Sequence, residues 1–337
     1  MSQQTVRVGY IGAGNFSRNR VLPNLKGIPG VELVVVANST EESSRRVAQE
    51  FGFQRVVGDW REVVAAPDVD AIVVGTRTAL HHEMCLPILD AGKHLLTMNA
   101  IARNLQEATS MYQKAQEKPN LVSLVFPAQF YMREDALMRT LLEDGYVGQV
   151  LQVMDYWYTP YFGLGSQFEV AHRWFGDHTR VLGYRKGFEI ETSAVDHHGR
   201  AVRPESNVVV ADLEDGKAIT YLHNTIARGT GLTRFEVYGT EGVLVCYAQG
   251  QAKEGFFGAR AGETELLPVA IPSHLQEAWD GSVGVPVEVD FIAAVRGEKT
   301  PSPSIPRFQD GVKLMEFAQA WRESVDSGSW CDLPSPE

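Results

Sequence analysis

An apolar segment, Val6 to Ile11, runs directly into Gly12-Ala13-Gly14-Asn15-Phe16-Ser17, and a helical stretch to about Leu25 follows at once. Read as strand, turn and helix, this arrangement restricts the chain to a small set of folds. Gly12 permits the tight turn, Gly14 leaves the backbone open to close approach, and Ser17 is small enough for the helix to pack on the strand. The N–H groups at the helix start, from Asn15 and Phe16 onward, are suited to a pyrophosphate. The expectation is a dinucleotide-binding unit.

The segments that follow keep the same rhythm. Val31 to Ala37 is a continuous valine-rich run, as befits a parallel strand covered on both faces. A helix from Thr40 to Phe51 follows, with Ser39 or Thr40 at its N-cap. Val69 to Gly75 reads as a strand and His81 to Ala91 as a helix closed by Gly92. His94 to Thr97, an amphipathic Asn104 to Glu117, and Leu121 to Phe126 continue the series. Alternation of strand and helix implies a doubly wound parallel α/β sheet. After a helix from Glu134 to Glu143 the pattern changes. Val150–Tyr158, Arg180–Tyr184, Val208–Leu213, Lys217–Asn224 and Thr233–Tyr238 are strands with few helices between them. Asp215-Gly216 and Thr240-Glu241-Gly242 are hairpin turn signals. A second, α+β domain with a mostly antiparallel sheet is expected, closed by helices over Pro286–Arg296 and Asp310–Ser324. The division predicted is 1–126 for the Rossmann domain and 127–337 for the second, with the C-terminal helix able to return to the first.

With 337 residues the chain suits two domains of ordinary size. Its formal net charge of −11 argues against nucleic acid or an anionic membrane as partner. No apolar run approaches the roughly 18 residues of a membrane span, and the first residues lack the pattern of a secretory signal. Cys85, Cys246 and Cys331 match no metal spacing, and unpaired thiols fit a reducing cytoplasm. The expectation is a cytoplasmic protein acting on a small molecule.

In such a fold the residue ending the second strand grips the adenosine ribose, usually through a carboxylate. Here it is Asn38, followed by Ser39 and Thr40. Without a carboxylate nothing repels a 2′-phosphate, so the cofactor is read as NADP or NAD with a lean to NADP. Arg45 and Arg46 lie further along the helix and read equally well as solvated surface charges.

The order of motifs resembles the Gfo/Idh/MocA family of NAD(P)-dependent oxidoreductases across nearly the whole chain. Val8-Gly9-Tyr10-Ile11-Gly12-Ala13-Gly14, Thr76-x-x-x-Leu80-His81 and Ala91-Gly92-Lys93-His94 carry the first half of the likeness. Gly145-Tyr146-Val147-Gly148, Arg173-Trp174-Phe175-Gly176, Tyr238-Gly239-Thr240-Glu241-Gly242, Phe291-Ile292-Ala293-Ala294-Val295-Arg296-Gly297 and Asp310-Gly311 carry the second. The resemblance implies a Rossmann domain, a C-terminal domain whose large sheet mediates a homodimer or homotetramer, and sugar, polyol or related carbonyl substrates. It adds Thr76, Arg77, His81 and Asn99 to Gly12, Gly14, Asn15, Phe16, Asn38 and Ser39 as cofactor-site positions.

The departures from the family are at its chemistry. The family's Glu-Lys-Pro is matched by Met98-Asn99-Ala100, and its Asp-x-Gly-x-His by Gly163-Leu164-Gly165-Ser166-Gln167, with Arg173-Trp174 downstream. The family's Thr-Pro-Asn becomes Thr76-Arg77-Thr78. Asn99 and Gln167 can hydrogen-bond a hydroxyl or carbonyl but cannot take its proton. Candidates to replace the acid and base are Tyr161, activated by a cation such as Arg77 or Arg173, and His172. His197-His198 beside Asp196 reads as a turn, not a metal site. The leading reading is an NAD(P)-dependent oxidoreductase with non-standard acid–base residues. The alternatives are a redox-neutral elimination or isomerisation with retained nicotinamide, and a non-catalytic family member.

Overall fold

The computed structural model describes residues 4–127, 132–158, 171–189, 204–226, 232–247, 254–273, 275 and 287–334. Within them the chain separates into two compact units, Met1–Ala128 with Val283–Val312, and Gln129–Ser282 with Lys313–Glu337.

The first unit is built on a six-stranded parallel sheet in the order β3-β2-β1-β4-β5-β6. Its strands are β1 (Val6–Ile11), β2 (Val31–Ala37), β3 (Arg55–Val56), β4 (Ala71–Val74), β5 (His94–Met98) and β6 (Ser123–Phe126). The apolar runs of β1, β2 and β4 are almost wholly buried, because helices cover both faces of a parallel sheet. A π-helical turn, Ser17–Val21, leads into α1 (Leu22–Gly27). Then come α2 (Glu41–Phe51), α3 (Trp60–Ala65), α4 (His81–Asp90) and α5 (Leu105–Gln116). Thr40 caps α2 by accepting from the Ser43 N–H, and Asp59 opens α3 in a reciprocal capping box with Glu62. The segment Val283–Val312 adds α7 (Val287–Val295) to this unit. Val125 donates its N–H to the carbonyl of Pro306, fixing that segment against β6.

In the second unit α6 (Met132–Glu143) precedes a nine-stranded sheet ordered β14-β13-β12-β11-β7-β10-β9-β8-β15. The long strands are β7 (Val150–Tyr158), β8 (His178–Gly187), β9 (Glu205–Leu213), β10 (Ala218–Asn224) and β11 (Leu232–Gly239). β12 (Gly242–Tyr247) and β13 (Gly255–Arg260) extend one side, with the two-residue β14 (Leu267–Pro268) and β15 (Cys331–Asp332) at the edges. All its pairings are antiparallel except β7 with β10, so the sheet is the mostly antiparallel one that the succession of strands implied. Asp215 (φ 58°) and Gly216 (φ 74°) both take left-handed conformations in the short Glu214–Gly216 connection of the β9–β10 hairpin. Alternate residues of β9 and β10 are buried, giving the sheet one covered face. α8 (Phe308–Ser327) precedes β15, and its Trp321 lies over Gly183; a Cβ there would come within 2.6 Å of the indole.

Candidate active site

In the first unit the turns after β1, β2 and β4 meet at the C-terminal edge of the parallel sheet, where open α/β sheets bind ligands. They line a cleft of 730 Å³. Gly12 has φ +82° and donates its N–H to the Ala37 carbonyl at 2.8 Å; a Cβ on it would fall against the Thr76 side chain and 2.9 Å from the Thr76 nitrogen. Gly14 is the opposite case, since a Cβ there would meet nothing within 4 Å. Its bare face is open, as a backbone that must admit a ligand requires. Ser17 is buried beneath the turn, and a Cβ on Gly75 would stand 2.6 Å from its hydroxyl, so small residues on both sides bring helix and strand together. The turn, the open Gly14 and the helix start behind it fit the pyrophosphate of a dinucleotide.

Asn38 lines this cleft, but its carboxamide serves the turn. Oδ1 accepts the Ala13 N–H at 2.7 Å, and Nδ2 donates to the Ser43 hydroxyl at 2.9 Å. Ser39, Thr76 and Arg77 line the same space. His81 does not. It is fully buried, with Nε2 3.0 Å from the Thr76 carbonyl and Nδ1 3.1 Å from those of Ala100 and Ile101. Burial pushes its pKa down against the pull of the three carbonyls. Its place is that of a brace between the loops after β4 and β5. Asn99, half-buried, follows β5, and the Asn99–Ala100 peptide is cis. Asn15 and Phe16 stand exposed at the helix start, with the Phe16 ring edge-on to Phe126 at 5.5 Å.

Sequence reasoning does not single out a further group in this cleft. β3 pairs with β2, Val36 opposite Val56, and the Val57 N–H donates to the Val36 carbonyl at 3.2 Å. The β3–α3 turn thus runs alongside Asn38 and Ser39, and Trp60 and Arg61 line the cleft. The Arg61 guanidinium lies over the Trp60 ring at 4.4 Å, 3.0 Å from Glu83 and 3.3 Å from Asp59. The Asp-Trp-Arg triplet at a capped helix start is the signal that could have pointed to it.

In the second unit His172 lies in a helical turn over 171–175, its Nδ1 2.5 Å from the Asp177 carboxylate. Lys313 stands 3.3 Å from the other Asp177 oxygen, and the bond to His172 together with Lys313 holds the Asp177 carboxyl down to about 2, against burial. Arg173 and Trp174 both turn to the buried Asp135. The indole donates at 2.7 Å and the guanidinium lies at 3.8 Å, which makes the Arg-Trp pair an anchor. The covered sheet face also carries polar pairs that the strand pattern does not announce. His223 Nε2 meets Asp155 at 2.8 Å, and His178 Nε2 meets the Tyr221 hydroxyl at 2.6 Å, all four residues buried. Burial pushes the Asp155 carboxyl up, against the opposing pull of His223. Tyr161, Gln167, Gly163 and the Asp196-His197-His198 group lie outside the described residues. Among the described residues no cluster could hold a metal, and no helix is long and apolar enough to cross a membrane.

A glycine turn opening onto a cleft at the C-terminal edge of a six-stranded parallel sheet defines a dinucleotide-binding Rossmann protein. Residues 6–126 match the family model GFO_IDH_MocA, an oxidoreductase family with an NAD-binding Rossmann fold. The match spans the Rossmann domain, the part of the chain in which the motif order first resembled that family. Levoglucosan dehydrogenase of Pseudarthrobacter phenanthrenivorans is 25% identical, with 89% of each chain covered. 1,5-Anhydro-D-fructose reductase of Ensifer adhaerens is 27% identical over 97% of this chain and 98% of that one. Among solved structures, levoglucosan dehydrogenase in complex with NADH and levoglucosan shares the fold with a TM-score of 0.74 at 22% identity, covering 98% of this chain and all of that one.

Proposed function

We propose that this chain is an NAD(P)-dependent oxidoreductase acting on a sugar, polyol or related small carbonyl compound, with NADP(H) the preferred cofactor. The observation that carries the reading is the glycine turn, with Gly12 locked against Thr76 and Gly14 left open to the cleft. The relatives that act on levoglucosan and 1,5-anhydro-D-fructose support the substrate class. The lean to NADP(H) rests on Asn38, which brings no carboxylate to the end of β2.

A bound nicotinamide supplies hydride acceptance and donation. The chain supplies position and a proton path. His172 takes the hydroxyl proton of an alcohol substrate as its C–O bond becomes a carbonyl, and returns it in the reverse direction. Asp177 is the positioning residue: its carboxylate, 2.5 Å from Nδ1, holds the ring in orientation. Asn99 and Gln167, the candidates at the family's catalytic positions, have carboxamides able to hydrogen-bond a hydroxyl or carbonyl but not to take its proton. Tyr161 is the second candidate for the proton, should His172 prove dispensable. The exposed Leu151, Tyr184 and Tyr238 on the large sheet fit a homodimer or homotetramer, and three thiols outside any disulfide fit the cytoplasm.

The test is a panel of sugars and polyols with NADP⁺ or NAD⁺, read by the absorbance of reduced nicotinamide. A substrate-dependent rise is expected, with His172→Asn lowering kcat and removing one limb of its pH profile. A protein that binds cofactor yet changes no absorbance with any substrate would leave the redox-neutral or non-catalytic reading instead.

A further inference from the structure

We propose that Arg61, delivered by the β3–α3 turn, is the group that meets the 2′-phosphate of NADP(H), and that Glu83 sets how strongly it does so. This rests on the reading of the cleft as a dinucleotide site and names the residue that determines its cofactor preference.

The place follows from strand pairing. In a Rossmann cleft the residue ending the second strand faces the adenosine ribose, and an arginine close by accommodates a 2′-phosphate. Here that residue is Asn38, whose carboxamide is committed to the Ala13 N–H and the Ser43 hydroxyl. β3 lies beside β2 at this end, on the side away from β1, so the turn carrying Gly58 to Arg61 flanks Asn38 and Ser39 directly. Adjacent strands are about 4.8 Å apart, well within the reach of an arginine side chain.

The other cations near this end are placed less well. Arg45 is paired with Glu41 one turn along α2, and Arg18 with Glu50, and neither lines the cleft. Arg77 lines it but follows β4, on the far side of β1 from β2. The Arg61 guanidinium presents a planar fork of five N–H donors. Its present partners, Asp59 at 3.3 Å and Glu83 at 3.0 Å, are about half exposed. Exposed pairs of this kind contribute little, so a phosphate dianion can replace them with shorter, charge-assisted bonds. The Trp60 ring under the guanidinium keeps the fork's plane defined while that exchange occurs.

Glu83 opposes the exchange in two ways. It competes for the same N–H donors, and its own charge repels the phosphate. NAD(H) brings no phosphate to this point, so its affinity should be indifferent to both residues.

The experiment is calorimetric titration of the full chain with NADPH and with NADH, for the native protein, Arg61→Ala and Glu83→Gln. The native protein should bind NADPH the more tightly. Arg61→Ala should weaken NADPH by on the order of tenfold or more while leaving NADH unchanged. Glu83→Gln should move the other way, tightening NADPH several-fold with NADH unchanged. The preference for NADPH should shrink with added salt. Equal losses for both cofactors in Arg61→Ala, or no change in either variant, would overturn the assignment. A native protein that binds neither cofactor would overturn the dinucleotide reading itself.

Discussion

Gly12 and Gly14 lie two residues apart and should fail in different ways when each is replaced by alanine. At Gly14 the backbone φ is ordinary and the added methyl meets nothing within 4 Å, so Gly14→Ala carries no steric cost to folding. Restricting the unfolded chain should even stabilise it by about 0.4–1 kcal/mol. Yet the methyl occupies the opening onto which the helix-start N–H groups face. Losing one or two charge-assisted bonds there, at roughly 1.5–3 kcal/mol each, weakens dinucleotide binding by at least about tenfold. Gly12→Ala is the converse. A left-handed non-glycine residue costs about 1–2 kcal/mol, and pushing a methyl onto Thr76 adds about 1–3 kcal/mol of overpacking. The assay is thermal unfolding of both variants with and without reduced cofactor. Saturation at about a hundredfold over Kd stabilises a competent protein by roughly 2.7 kcal/mol. Gly14→Ala should keep or raise the unliganded midpoint and lose most of the cofactor-induced shift; Gly12→Ala should lower the midpoint itself. Cofactor binding by Gly14→Ala as tight as that of the native protein would show that Gly14 does not open the backbone to the dinucleotide.

His81→Leu should remove the ring N–H shared among the surrounding backbone carbonyls and lower stability by about 1–3 kcal/mol in urea unfolding, although His81 lies outside the cleft. Asp177 has a folded value of about 2, below its ordinary 3.8, so its contacts stabilise the protein above about pH 4 and fade as pH falls towards 2. The stability gap between the native protein and Asp177→Asn should therefore close over that interval, and a gap that widens on acidification would contradict the pairing. Burial pushes the Cys85 thiol up to about 12, while Cys331 is partly exposed. A thiol reagent at neutral pH should label Cys331 in the native chain and reach Cys85 only on unfolding, as peptide mapping would show.

What was legible in the sequence is what a local pattern encodes. The valine runs of β1 and β2 announce a parallel sheet because both faces of each strand are buried. Thr40 and Asn104 mark helix starts because their side chains satisfy N–H groups three residues on. The glycine turn is legible because its constraints fall within a few residues. Short elements are not: the six residues of α3 are too few to show a period, and β3 has only two. β13 reads Gly-Phe-Phe-Gly-Ala-Arg, whose two glycines mask a strand. The site is harder still. Arg61 reaches the cofactor cleft because β3 pairs with β2, and His223 reaches Asp155, 68 residues away, because β7 and β10 run parallel side by side. Asn38 reads as a ribose contact from its position, but its carboxamide fastens the turn, a use set by where Ala13 and Ser43 lie in space.

Hydride transfer between nicotinamide and substrate can be followed with a label. The purified protein is incubated with reduced cofactor deuterated at the transferring C4 position and with a keto-sugar substrate, and both products are examined by mass spectrometry. Oxidised cofactor should appear in step with product, with the deuterium on the newly formed carbinol carbon. Product that forms while the cofactor stays reduced, or deuterium that never leaves the nicotinamide, would contradict such a transfer.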